Sequence, residues 1–250
     1  MKHSILVLIA ILLITSCSKN SSVSNSSNSI GQGGSMARFT IANNHLYTVD
    51  GEYLSVFDIS NTATPLFKNK IQIGFNIEAV FPFKDKLFIA SNSAMYIYSI
   101  ANPSSPSQES QVQHLTGCDP VVANDSVAYL TIHGGNQCGS TINQLQVYDI
   151  KNINYPQLVQ SINLTNPMGL GMSGNTLYVC DNGTGLKVYD ITDPYNPILK
   201  STLTGENFID VILMDTPTME TYMICMLTNG VAYYNVTNPN QIIKLGTVKN

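Results

Sequence analysis

One stretch constrains this chain more than any other: residues 185–197 read G-L-K-V-Y-D-I-T-D-P-Y-N-P. It recurs with variation as L-S-V-F-D-I-S-N-T-A-T-P at 54–65, M-Y-I-Y-S-I-A-N-P-S-S-P at 95–106 and L-Q-V-Y-D-I-K-N-I-N-Y-P at 145–156. A decayed copy, V-A-Y-Y-N-V-T-N-P-N-Q-I, occupies 231–242. With Ile59, Ile100, Ile150, Ile191 and Val236 as phase markers, the spacings are 41, 50, 41 and 45 residues. A period of this size marks a repeat protein, whose units bury their apolar faces only against one another.

Each unit divides into four short strands. The first alternates and ends in a polar turn, at 37–44, 78–85, 119–125, 168–175 and 209–215. The second is built on Leu46-Tyr47, Leu87-Phe88, Ala128-Tyr129, Leu177-Tyr178 and Tyr222-Met223. The V-x-D-I strand is third, and the fourth follows the turn prolines at 66–73, 108–113, 158–164, 198–203 and 242–248. Only 11% of the 250 residues are charged, which disfavours long helices and suits strands with polar turns. Asp58, Asp149 and Asp190, with Ser99 and Asn235 in the other copies, stand where an Asx-type turn accepts backbone N–H groups. Pro65, Pro106, Pro156 and Pro197 then fix φ and end the ladder. Because these acids recur at one turn position, a structural role outweighs metal binding or acid–base work.

Four strands in each of five units predict an all-β fold, a five-bladed β-propeller of four-stranded antiparallel blades. The domain is expected over 35–250, with repeats at about 35–74, 75–115, 116–164, 165–205 and 206–250. The count stays in phase from first strand to last, so the ring is expected to close by packing blade five on blade one, with a shared strand at the termini as the alternative.

The pattern L-x-V-h-D-I-S/T-N/D-P-x-x-P (h, hydrophobic), preceded by G-N-x-L-Y-V-x-D, resembles the LVIVD-repeat family of bacterial extracytoplasmic proteins. Blade four carries the pattern most fully, in Gly174-Asn175, Leu177-Tyr178-Val179, Asp181, Gly185-Leu186, Val188, Asp190-Ile191, Pro194 and Pro197. Blade five departs from it, with Asn235 for Asp and no seventh-position proline. The resemblance implies a propeller at the cell envelope and carries over no catalytic residues.

The amino terminus implies an address. Met1-Lys2-His3 precedes the uncharged apolar run 5–14, short for a membrane span and the length of a signal-peptide core. The following Ile14-Thr15-Ser16-Cys17 resembles a bacterial lipobox. Residues 1–16 are therefore expected as a lipoprotein signal peptide, with Cys17 lipidated and 17–34 a Ser/Asn-rich disordered tether. Acyl chains on Cys17 would anchor the protein to a membrane without spanning it. Ser18 after the Cys, by resemblance to lipoprotein sorting, implies the outer membrane if the host is Gram-negative.

The net charge of −4 comes without a Lys/Arg cluster, which argues against nucleic acid. The large departure from the period lies in blade three, where residues 132–140 lengthen the connection between strands two and three. It is a binding loop or a neutral insertion. Cys118 and Cys138 fall in this blade and are expected to pair as a disulfide in an exported protein. A metal site from Cys118, His133 and Cys138 lacks a C-x-x-C pair and a fourth ligand. Cys180 and Cys225 read as core thiols at one strand position in neighbouring blades.

Aligning the first strands, which converge on a propeller axis, puts Glu78 and Asp119 in one column and Arg38 and Asp210 in the next. Arg38, Glu78, Asp119, Asp210 and His133 are thus the candidate channel or ligand-binding residues. Glu78, Asp119 and Asp210 form either an acidic ring of the paired-carboxylate kind or solvated rim charges. No Ser-His-Asp order, Gly-rich phosphate loop or H-E-x-x-H motif appears, and no cofactor is implied. The expectation is a binding or scaffolding module for an envelope protein, with a carbohydrate-binding or glycoside-hydrolysing propeller as the alternative.

Overall fold

The computed structural model describes residues 33–113, 120–135 and 141–249. The expected leader, Cys17, nearly all of the expected tether, Cys118, Asp119 and Cys138 lie outside the described residues, and with them the expected disulfide.

The described residues form twenty strands and no helix. Blade one holds β1 (Phe39–Ala42), β2 (His45–Val49), β3 (Tyr53–Asp58) and β4 (Leu66–Gln72). Blade two holds β5 (Ile77–Phe83), β6 (Lys86–Ser91), β7 (Ala94–Ser99) and β8 (Ser107–Gln113). Blade three holds β9 (Val121–Ala123), β10 (Val127–Ile132), β11 (Gln144–Asp149) and β12 (Gln157–Asn163). Blade four holds β13 (Pro167–Ser173), β14 (Thr176–Asp181), β15 (Gly185–Asp190) and β16 (Ile198–Leu203). Blade five holds β17 (Phe208–Asp215), β18 (Thr221–Leu227), β19 (Gly230–Asn235) and β20 (Ile243–Lys249). In every sheet spatial order is chain order, and no strand is shared between blades. The chain is a five-bladed β-propeller.

The recurrent motif builds one device five times. The third and fourth strands slip register at Val56/Phe57, Ile97/Tyr98, Val147/Tyr148, Val188/Tyr189 and Tyr233/Tyr234. Such a bulge twists the outer strand away from the ladder. The next motif residue then caps the turn, as expected. Ser60 N donates to Asp58 Oδ1 at 2.9 Å, Lys151 N to Asp149 Oδ1 at 2.9 Å and Thr192 N to Asp190 Oδ1 at 2.9 Å. Ser99 and Asn235 do the same work, accepting from Ala101 N at 3.3 Å and Thr237 N at 3.0 Å. These bonds, from Ser60 first and then Lys68, hold the Asp58 carboxyl well below its usual range; those from Thr192 and Lys200 lower Asp190 to about 2. Each phase marker ties the third strand to the start of the second, as when Ile59 N donates to Asn44 O and Ile191 N to Asn175 O, both at 2.9 Å.

Blades pack face to face through four apolar clusters. Tyr47, Leu54 and Val56 of blade one meet Val80, Leu87 and Ile89 of blade two. Phe88, Met95 and Ile97 meet Ala128 and Leu130, and Tyr129, Leu145 and Val147 meet Leu177 and Val179. Tyr178, Leu186 and Val188 meet Val211, Met223 and Cys225. Alternation on each strand feeds two neighbouring clusters, which is why strands such as β10 are buried on both faces. Tyrosine hydroxyls lock adjacent blades: Tyr47 donates to Pro103 O at 2.9 Å, and Tyr129 to Pro194 O at 2.8 Å.

Two expectations change. Cys180 and Cys225 do not occupy one strand position. Cys180 faces blade five from β14, Cys225 faces blade four from β18, and both lie buried in the same cluster as free thiols. The cause is the hairpin that follows: residues 182–184 separate β14 from β15, but only 228–229 separate β18 from β19, so Cys180 pairs with Leu186 and Cys225 with Ala232. A one-residue slip in a strand reverses its faces. Second, no fifth apolar cluster joins blade five to blade one among the described residues. Met226 and Tyr233 are 46% and 41% exposed on the outer face of blade five, while Phe88, Ala90, Met95 and Ile97 on the matching face of blade two are at most 1%.

Candidate binding site

In place of a fifth core, residues 33–37 bridge the two terminal blades. Ser35 Oγ donates to Asp210 Oδ1 at 3.1 Å and accepts from Leu170 N at 2.8 Å; Met36 N donates to Asp210 Oδ2 at 3.4 Å. Ala37 O accepts from Val80 N at 2.9 Å, so the segment touches blades two, four and five from its place before β1. Asp210 is 8% exposed, and burial raises its carboxyl to about 6 despite the N–H groups of Val211 and Met36 and the Ser35 hydroxyl. The segment lies across the axis where the first strands converge. On one side it walls an apolar cavity of about 250 Å³ with Phe81, Val122, Leu170 and Leu213.

On the other side is a mouth of about 150 Å³ where Arg38, Glu78 and His133 converge with Met36, Pro120 and Met168. Arg38 stands just before β1, Glu78 at the start of β5 and His133 just past β10, so three blades each supply one polar group. First strands begin, and second strands end, on the same face of a propeller blade, which is why these positions meet. His133 is held below its ordinary value by burial and is neutral at pH 7; its Nδ1 is buried without a hydrogen-bond partner. A neutral imidazole beside an exposed guanidinium and a carboxyl offers a donor, a cation and an acceptor to a polar ligand.

His133 also opens the overlong connection of blade three. Residues 133–143 join β10 to β11, where Asn92 and Ser93 suffice between β6 and β7. The two ends of this loop are tied, with Gly134 N donating to Asn143 Oδ1 at 2.9 Å. The insertion expected from the period thus begins at the mouth, with His133, and its residues 136–140 lie outside the described residues.

The expected acidic ring is not assembled from Asp210. Glu78 lies at the mouth, Asp210 lies in the contact with Ser35 and Met36, and Asp119 is outside the described residues. Sequence reasoning passed over Asp181, which is 1% exposed. It accepts from Thr165 N at 3.0 Å, Asn166 N at 2.6 Å and Thr184 Oγ1 at 2.7 Å, with Lys187 Nζ at 3.7 Å. Its place at the end of the G-N-x-L-Y-V-x-D pattern was the available signal: it fastens the linker between blades three and four. Among the described residues no group of three His, Cys, Asp or Glu side chains is arranged to hold a metal ion.

Several solved structures resemble this one, and at their low identities the likeness is one of fold. A Lactobacillus plantarum protein superposes with a TM-score of 0.65 at 15% identity, over 82% of this chain and 67% of its own. A functionally unknown protein from Desulfotomaculum acetoxidans gives 0.59 at 15% identity, over 83% and 66%. A Bacteroides fragilis protein described as a candidate 6-phosphogluconolactonase gives 0.62 at 14% identity, over 84% and 69%. The chain thus spans about two thirds of the length of each. No curated protein matches it. The LVIVD repeat family model matches residues 33–72 and 167–204, which are blades one and four. Blades one and four of this five-bladed β-propeller thus match the LVIVD repeat.

Proposed function

We propose that this protein is a lipid-anchored extracytoplasmic propeller that serves as a protein-binding or scaffolding module at the cell envelope. Its working surface is the channel mouth. The observation that carries this reading is the convergence of Arg38, Glu78 and His133, from three blades, where the long connection of blade three begins. Rigid strands position the polar groups, and a loop on a rigid scaffold supplies adaptable contacts. A hydrolase built on paired carboxylates has less support, because Asp210 is engaged with Ser35 and Met36.

The anchor rests on the lipobox-like Ile14-Thr15-Ser16-Cys17. Cys17→Ser is expected to move the protein from the membrane fraction to the soluble fraction; retention in membranes would count against lipidation. The binding role is tested by cross-linking the full chain in its native envelope and identifying captured proteins by mass spectrometry. The expected result is a stoichiometric partner cross-linked near residues 133–143. Cross-links spread over all blades with no recurring protein would contradict it.

A further inference from the structure

The cations of this protein nearly all have partners, and the exception stands at the channel mouth. Every described lysine except Lys151 forms an ion pair with a carboxylate. Lys151 lies over the Tyr195 ring, 4.9 Å from its centroid. The guanidinium of Arg38 has neither a carboxylate nor a ring among the described residues. Across the same mouth, His133 Nδ1 is buried without a hydrogen-bond partner. Glu78, the third polar group there, already has a partner within the chain. Two groups from two blades are thus left for something outside the chain to satisfy.

Charge and size limit what fits. A cation would face Arg38, and a phosphate would meet a single cation while facing Glu78. A carboxylate matches better, because a guanidinium binds it through two parallel N–H groups. With its proton on Nδ1, the neutral imidazole of His133 adds a third donor to a group that only accepts. The mouth, about 150 Å³, is smaller than the roughly 300–1,000 Å³ of whole small-molecule sites. It holds one group of side-chain size, with Pro120, Pro167 and Met168 as apolar walls for the stem. Arg38 and Met36 are exposed at the rim. A free ligand would therefore keep much of its surface in water, where about 70–90% is ordinarily buried. A carboxylate projecting from a larger body meets no such objection.

We infer that the mouth is a carboxylate receptor, in which a carboxylate of the partner protein seats between Arg38 and His133. The inference rests on the binding role proposed above for the mouth. Its first test needs no partner. The full chain carrying Cys17→Ser is titrated with butyrate and, separately, with butyramide. The ring signals of His133, assigned by their loss in His133→Gln, are followed by NMR. Saturable movement with butyrate, and none with butyramide, is expected. Arg38→Gln is expected to weaken butyrate binding at least tenfold; Lys70→Gln, on the exposed outer strand of blade one, leaves it unchanged. Circular dichroism checks that both variants fold, and the butyrate–butyramide comparison needs neither of them. The second arm adds saturating butyrate to the cross-linking in native envelope. Capture of the partner is expected to fall at least tenfold, and to be unchanged with butyramide. An unmoved His133, or equal binding of butyramide, overturns the inference. So does bound butyrate that leaves capture intact, which would assign the mouth to free small carboxylates instead. The sample without butyrate reads the proposed function alone, so the absence of any recurring partner there is told apart from a failure of the carboxylate.

Discussion

Two aspartates show how the same residue type takes opposite roles through its surroundings. Asp181 is buried among donors, so Asp181→Ala would leave Thr165 N, Asn166 N and Lys187 without their acceptor. A loss of about 3 kcal/mol is expected in chemical denaturation. Asp210 is buried with its carboxyl raised to about 6, so folding favours its protonated form. Its contribution is therefore fully present below its ordinary value near 3.8 and is lost as pH rises through about 6. The gap corresponds to roughly 3 kcal/mol between the two limits. Asp58 and Asp190 act in the opposite sense, losing their contribution as pH falls below their ordinary range. Comparing the wild type with Asp210→Asn separates the two: the variant is expected to lose the decline between pH 4 and 6. An identical pH profile would sink this assignment. Gly169 matters for the same carboxyl, because a Cβ there would lie 2.0 Å from Asp210 Oδ1 and 2.8 Å from Asp210 Cα. Gly169→Ala is expected to lower the melting temperature measurably, as backbone has to move.

At the scale of the element, the third strand and its turn were legible because their chemistry is local. Asx capping, a bulge and a proline all act within a few residues, so five copies of a motif predicted five copies of one structure. Asp149→Ala and Asn235→Ala each remove one capping bond in separate blades. Each is expected to cost about 1 kcal/mol, and the double variant about 2, since distant sites add. A double variant well above that sum would mean that the blades do not act as independent units. The register of β18 was not legible, because the hairpin 228–229, one residue shorter than 182–184 of blade four, shifts it by one residue without disturbing the apolar pattern. Cys225 consequently faces the side opposite to the one its motif position implied. Both thiols are pushed upward by burial, Cys225 to about 12, so alkylation of the folded protein is expected to leave them unmodified.

For the whole molecule, blade number and blade order were readable, and closure was not. Ile212, Ile224 and Met226 alternate on their strands as core residues do elsewhere, and nothing in that pattern tells that the face beyond them is open. How far a ring turns depends on angles summed over every blade. The bond from Ser35 to Asp210 joins residues 175 positions apart, which no local pattern encodes, and it converted an expected channel acid into a fastening. The mouth was partly readable: Arg38, Glu78 and His133 were all singled out, and the structure brings these three together. The measurement that tests the central claim most directly is quantitative cross-linking of the wild type against Arg38→Ala/His133→Ala in the native envelope. The account predicts that the double variant keeps its fold and membrane address but loses its captured partner at least tenfold. Undiminished capture by the folded double variant would contradict a working surface at the mouth.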